Sequence, residues 1–129
     1  MTTTKNIYLS QTDHQKLSGI LASMKKKGNL RLPHLRTLYE ELSAAVIVIE
    51  GEVPADIVGM GSTVEYHNPH TDTIETATLV FPAEADSDQG KVSVLAPLGS
   101  ALIGETVNTE VQCQAPDSTW SLRIIKVEH

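Results

Sequence analysis

The hydrophobic pattern of this chain changes period once, and that change limits the folds open to it. Up to Glu50 the apolar residues recur at steps of three and four, and from Gly51 onward they alternate in short runs broken by turn residues. Steps of three and four place side chains on one helical face, whereas alternation places them on one face of a sheet. The expected class is therefore α+β, with helices first and a mostly antiparallel sheet after them. Residues 1–50 are expected to form a helical hairpin and 51–129 a sheet domain, with Gly51-Glu52-Val53-Pro54 as the joint.

Ser10 to Lys27 reads as the first helix. Ser10 and Asp13 have capping-box spacing, and Leu17, Ile20, Leu21 and Met24 form a stripe. Lys25, Lys26 and Lys27 sit where the helix dipole favours cations, and Gly28 ends the run. After Asn29 to Leu32, Pro33 suits the first turn of a second helix in which Leu35, Leu38, Leu42, Ala45 and Ile49 make a coiled-coil seam. Each arm of such an antiparallel hairpin would be about 25 Å long at 1.5 Å per residue. Two core helices of a compact domain fit the same periodicity.

Beyond the joint, Val64 and Tyr66 mark a strand, Asn68 to Asp72 a turn and Thr73 to Phe81 a second strand. Pro82 to Gly90 is an acidic loop, Lys91 to Leu95 a short strand, Thr109 to Ala115 another, Pro116-Asp117-Ser118 a turn and Trp120 to Val127 the closing strand. One run breaks the alternation: Ser93-Val94-Leu95-Ala96-Pro97-Leu98-Gly99-Ser100-Ala101-Leu102-Ile103-Gly104. Pro97 can open a short helix, Leu98, Ala101 and Leu102 give it an apolar face, and Gly104 can close it at positive φ. Gly99 would let that helix approach neighbouring backbone.

Charge divides the same way. Of 129 residues with net charge −6, residues 1–50 hold seven basic and four acidic side chains, and the rest holds three basic (Lys91, Arg123 and Lys126) and twelve acidic. An acidic main body argues against a nucleic-acid-binding domain. No apolar run approaches the roughly 20 residues of a membrane span, and Met1 to His14 lacks a secretory h-region, so the expected setting is cytoplasmic and soluble. A single cysteine, Cys113, can form no internal disulfide. His67, His70 and Asp72 flank a turn without further ligands, so neither a metal nor another cofactor is expected.

The run from Ser93 to Gly104 resembles the C-terminal signature of the Gre-type transcription factors, in which a strand leads into a PLG-x-ALIG turn and helix. Glu105 to Gln112 (ETVNTEVQ) and Trp120 to Glu128 (WSLRIIKVE) are similar to that family's following turn and strands, although Val107-Asn108-Thr109 stands where Gly-Asp is usual. The resemblance covers roughly Met60 to Glu128. A short chain of this kind looks most like the regulator of nucleoside diphosphate kinase (Rnk) family, which joins an FKBP-like Gre C-terminal domain to a short helical hairpin.

That resemblance implies a bacterial, non-enzymatic regulator that acts as a monomer, binds RNA polymerase at the mouth of its secondary channel and touches no membrane or specific nucleic-acid sequence. By resemblance, Leu95, Ala96, Pro97, Leu98 and Gly99 face the polymerase. Gre factors stimulate transcript cleavage with acidic residues at the hairpin tip that help hold magnesium, which needs oxygen ligands. Here the tip carries Lys25, Lys26, Lys27 and Arg31 and no carboxylate, while Glu40 and Glu41 lie about two turns into the second helix. The expectation is a non-catalytic competitor of cleavage factors. An FKBP-like fold also raises prolyl isomerisation, but with Tyr8, Tyr39 and Tyr66 in the N-terminal part or near the first strand, Phe81 and Trp120 are too few aromatics for a proline pocket. A protein-interaction adaptor or dimerising module remains the alternative, because Tyr39, Val46 and Val48 widen the apolar stripe of the second helix.

Overall fold

The computed structural model describes residues 7–49, 51–115 and 118–129. Strand β1 (Tyr8–Ser10) leads into helices α1 (Gln11–Lys26) and α2 (Pro33–Ala44), followed by strands β2 (Val46–Val48), β3 (Thr63–Asn68), β4 (Thr73–Val80) and β5 (Lys91–Ser93). Helix α3 (Pro97–Leu102) and strands β6 (Glu110–Ala115) and β7 (Ser118–Glu128) complete the chain. The acidic loop forms two short 3₁₀ turns, Pro82–Glu84 and Ser87–Gln89. The architecture is the expected α+β arrangement: two helices, then a curled five-stranded sheet in the order β5-β4-β3-β7-β6 with one short helix. All its pairings are antiparallel except β4 with β5, which is parallel.

Local chemistry sets the helix ends. The Ser10 hydroxyl accepts from the Asp13 amide at 3.1 Å, satisfying a donor that the first turn leaves unpaired. At the other end Gly28 N donates to Lys25 O at 3.1 Å and Asn29 N to Met24 O at 2.8 Å, the paired bonds of a Schellman stop. Pro33 occupies the first turn of α2, as its fixed φ and missing N–H allow.

The second helix is shorter than its periodicity suggested. The seam through Leu35, Leu38 and Leu42 does not continue to Ala45 and Ile49: Ala45 caps the helix in an extended conformation, and Ile49 is exposed. Val46-Ile47-Val48 instead forms β2, parallel to β1 in the register Tyr8↔Val46, Leu9↔Ile47, Ser10↔Val48. A run of β-branched residues loses side-chain freedom in a helix and suits a pleated strand, so it pairs once a partner is present. At 1.5 Å per residue α2 is about 18 Å long, below the roughly 25 Å expected of each arm.

Helices and sheet share one core. Leu17 and Leu21 of α1 and Leu35, Leu38 and Leu42 of α2 are buried together with Val64, Leu79, Val111, Leu122 and Ile124 of the sheet and Leu102 of α3. Each such side chain contributes about 1.5–3 kcal/mol over its exposed state, which fixes the hairpin against the sheet. Polar contacts reinforce it: the Asp13 carboxylate accepts from Met60 N at 3.0 Å, and Thr37 Oγ1 donates to Gln114 Oε1 at 3.1 Å. The β3–β4 turn closes with Asp72 at φ 53° and His70 N donating to Asn68 Oδ1 at 3.0 Å. Pro116 and Asp117 of the expected β6–β7 turn lie outside the described residues.

Candidate functional site

The run from Ser93 to Gly104 folds as strand, turn and short helix. Strand β5 stops at Ser93, whose hydroxyl accepts from Leu95 N at 3.0 Å and whose carbonyl accepts from Ala96 N at 3.0 Å. Pro97 then opens α3 from an extended Ala96. Gly99 packs against the preceding turn: a Cβ there would strike the Ser93 carbonyl oxygen and lie 2.8 Å from its carbon and 2.9 Å from Val94 Cα. Gly104, at φ 75°, ends the run; its N donates to Val58 O at 2.8 Å and its carbonyl accepts from Tyr8 N at 3.1 Å.

Leu95, Ala96, Pro97 and Leu98 are half-buried and Gly99 is buried. Leu95 and Leu98 pack against the core, leaving a partly apolar edge at the surface. These residues therefore shape the turn whatever partner they meet. A residue that the sequence reading passed over anchors them. His34, in the first turn of α2 and 5% exposed, donates from Nε2 to Leu95 O at 2.8 Å. That acceptor fixes the tautomer, with the proton on Nε2. The signal was present: His34, Leu38 and Leu42 step by four and share the buried face with Leu35.

The basic tip follows from the same geometry. Lys25, Lys26, Lys27 and Arg31 are all exposed. Lys25 Nζ lies 4.8 Å from the centre of the Tyr39 ring and donates to its hydroxyl at 3.3 Å. Arg31 Nε donates to Gly28 O at 3.3 Å and Arg36 Nε to Leu30 O at 3.0 Å, so the guanidinium groups satisfy tip carbonyls. No carboxylate occurs between Met24 and Arg31. His34 opens α2 three residues after Arg31, so its bond to Leu95 O ties the start of that helix to the Leu95–Gly99 turn. The hairpin lies along the sheet domain and does not stand clear of it.

The remaining candidates are dispersed. His67 Nε2 pairs with Asp72 Oδ1 at 2.8 Å, while the His70 ring meets Trp120 edge-on with centroids 5.9 Å apart. Among the described residues no group of three His, Cys, Asp or Glu side chains is placed to hold a metal ion. Tyr66, buried on the inner face of β3, donates to Glu75 Oε1 at 3.2 Å. Burial first, and then the Glu75 charge, push its hydroxyl up to about 12. Glu75 is held below the usual carboxylate range, chiefly by the Asn68 amide and then by the Tyr66, Thr73 and Thr71 hydroxyls. Burial raises the Cys113 thiol, which packs as a small apolar group.

Residues 53–129, more than half of the chain, match the family described as "Transcription elongation factor, GreA/GreB, C-term". The chain belongs to the GreA/GreB family. Over 110 residues, 85% of this chain and 70% of the relative, it is 34% identical to transcription elongation factor GreA of Chloroflexus aggregans. Over 99 residues, 76% of this chain and 73% of the relative, it is 31% identical to the regulator of nucleoside diphosphate kinase of Escherichia coli strain K12.

Among solved structures, a prokaryotic transcription elongation factor GreA/GreB from Nitrosomonas europaea superimposes with a TM-score of 0.77 at 30% identity, covering 96% of this chain and all of that one. GreA factor homolog 1 of Thermus thermophilus, at 21% identity and a TM-score of 0.51 over 97% of this chain and all of that one, shares the fold. Asn108, in the turn before β6, takes φ 68°. Its N donates to Ile124 O at 2.8 Å and its carbonyl accepts from Arg123 Nη1 at 2.9 Å, so the turn keeps its form. No helix among the described residues is long and apolar enough to cross a membrane.

Proposed function

We propose that this GreA/GreB-family protein is an RNA polymerase-binding transcription regulator of the Rnk type. In this reading it docks as a single copy at the entrance of the secondary channel, competes there with Gre-type factors and does not stimulate transcript cleavage. The observation that supports the reading is the exposed, carboxylate-free tip of Lys25, Lys26, Lys27 and Arg31 on a hairpin whose second helix is bonded to the Leu95–Gly99 turn through His34. A tip without carboxylates supplies no oxygen ligands for magnesium. A hairpin laid on the sheet domain, with α2 only about 18 Å long at 1.5 Å per residue, has no reach into a deep channel. An apolar edge and a lysine tip suit an acidic protein surface, because the cations steer the approach and the apolar contact holds the complex. The name of the Escherichia coli relative extends the proposal to control of nucleoside diphosphate kinase levels, with no kinase chemistry in the chain itself.

The test is displacement of a labelled Gre factor from core RNA polymerase by wild type and by a Pro97→Asp variant whose far-UV circular dichroism is unchanged. Displacement by wild type that the variant fails to produce is the expected result, with no transcript cleavage above polymerase alone. Wild type that does not bind polymerase would sink the proposal.

A further inference from the structure

Among the described residues, the ribbon formed by β1 and β2 is left open on one side. Strand β2 has β1 as its neighbour, and Val46 N donates inward to Ile7 O at 2.8 Å. Successive residues of a strand direct their N–H and C=O groups to opposite sides, so those of Ile47 face the free edge. Exposed strand edges are ordinarily guarded by lysine, proline or a bulge. Val46-Ile47-Val48-Ile49 has none of these, and Val46 is 41%, Ile47 51% and Ile49 67% exposed, with Tyr8 39% exposed beside them.

A second feature adjoins this edge. Ile47 is also a wall of a groove of about 300 Å³ between α1 and α2, whose small lining residues Ser18, Ala22 and Ser43 leave room below Tyr39. Lys25 lies over the Tyr39 ring, and Lys26 follows it, so that end of the groove is cationic.

Size selects the occupant. At roughly 150–250 Å² for a large side chain, the four exposed residues offer about 400 Å². That matches functional patches on monomers but is about half of the ~800 Å² per partner that a stable interface buries. A second globular copy is too poorly supported by such a patch; one extended segment, with one side chain in the groove, fits it. We propose that β2 and the adjoining groove bind an extended segment of a partner protein by strand addition. An apolar side chain of that segment sits between α1 and α2, and an acidic residue next to it meets Lys25 and Lys26. This site shares Lys25 and Lys26 with the proposed polymerase surface but not the Leu95–Gly99 turn, and its strand edge and groove do not depend on the polymerase reading.

The test uses the whole chain and two displayed octapeptide libraries, one alternating apolar with acidic residues and one with lysine in place of every acid. Selected peptides are then titrated into ¹⁵N-labelled protein. The acidic library should yield binders whose amide shifts concentrate at 45–49 and 18–22. Ile47→Lys and Ala22→Trp, both at exposed positions that leave the circular dichroism unchanged, should each weaken them at least tenfold. Four results would overturn the proposal: no binder, equal enrichment of the lysine library, binders indifferent to both variants, or a concentration-dependent dimer of the free protein that Ile47→Lys abolishes. The last would make a second copy the occupant.

Discussion

Replacing His34 with leucine isolates the bond that ties the helices to the Leu95–Gly99 turn. Leucine keeps most of the buried volume but removes the donor 2.8 Å from Leu95 O, in a side chain only 5% exposed. Loss of an ordinary hydrogen bond costs about 1 kcal/mol, and stranding a buried carbonyl brings the cost to about 1–3 kcal/mol. The added apolar contact offsets a part of this, so the expected loss is about 2 kcal/mol. For a chain of this size that corresponds to a fall in Tm of roughly 6–10 °C, or about 1 M in the urea midpoint at an m-value of about 2 kcal/mol/M. Urea melts followed by Trp120 fluorescence measure the global effect. Hydrogen exchange of the Leu95 and Ala96 amides, which are bonded to Ser93, reads the turn itself. His34→Gln, which can place an amide donor near the same carbonyl, should recover part of the loss. A stability change below about 0.5 kcal/mol, or a turn that exchanges as slowly as in wild type, would refute the assignment of this bond as the anchor.

Three other outcomes are expected. Gly99→Ala pushes a methyl group into the Ser93 carbonyl and Val94 Cα; overpacking against backbone should cost about 1–3 kcal/mol in a urea melt and weaken polymerase binding with it. Tyr66, whose pKa is raised to about 12 from an ordinary 10.0, contributes stability that is full below pH 10 and is lost as pH rises through 12. Between those values the loss should be on the order of 2 kcal/mol, and Tyr66→Phe should remove that part of the alkaline slope. Lys26→Glu with Lys27→Glu should weaken polymerase binding about tenfold, or about 1.4 kcal/mol, and flatten its salt dependence; loss of the favourable dipole contact should cost at most ~1 kcal/mol of stability. Equal salt slopes for variant and wild type would count against a cationic contact.

Features decided within a few residues were legible in the sequence. The Ser10 cap, the Gly28 stop and the Pro97 opening of α3 are local conformational choices, and each residue type carries its own reason. Features decided across the chain were not. The Leu42, Ala45, Ile49 spacing fits a heptad, yet Val46-Ile47-Val48 goes to a strand because Tyr8–Ser10 lies alongside it. Asp13 stood out for its place after Ser10, but its carboxylate also reaches Met60 N. His34 gains its partner only when Leu95 O is brought to it. The tip and turn residues could be named from the chain; that His34 bonds the turn depends on the way α2 packs against the sheet.

The position of Gly104 has a consequence for the order in which the molecule assembles. Tyr8 N reaches Gly104 O at 3.1 Å, and a Cβ on Gly104 would come within 2.6 Å of Ile7 Cβ. The first strand is thus seated by a residue near the far end of the chain. During synthesis α1 and α2 leave the ribosome early, yet their ribbon has no final place until Gly104 has followed. Closing so long a loop before its contacts form is a slow, entropically costly step. Until then the leucines of both helices lack the sheet that buries them, and the nascent chain passes through a stage with apolar surface exposed.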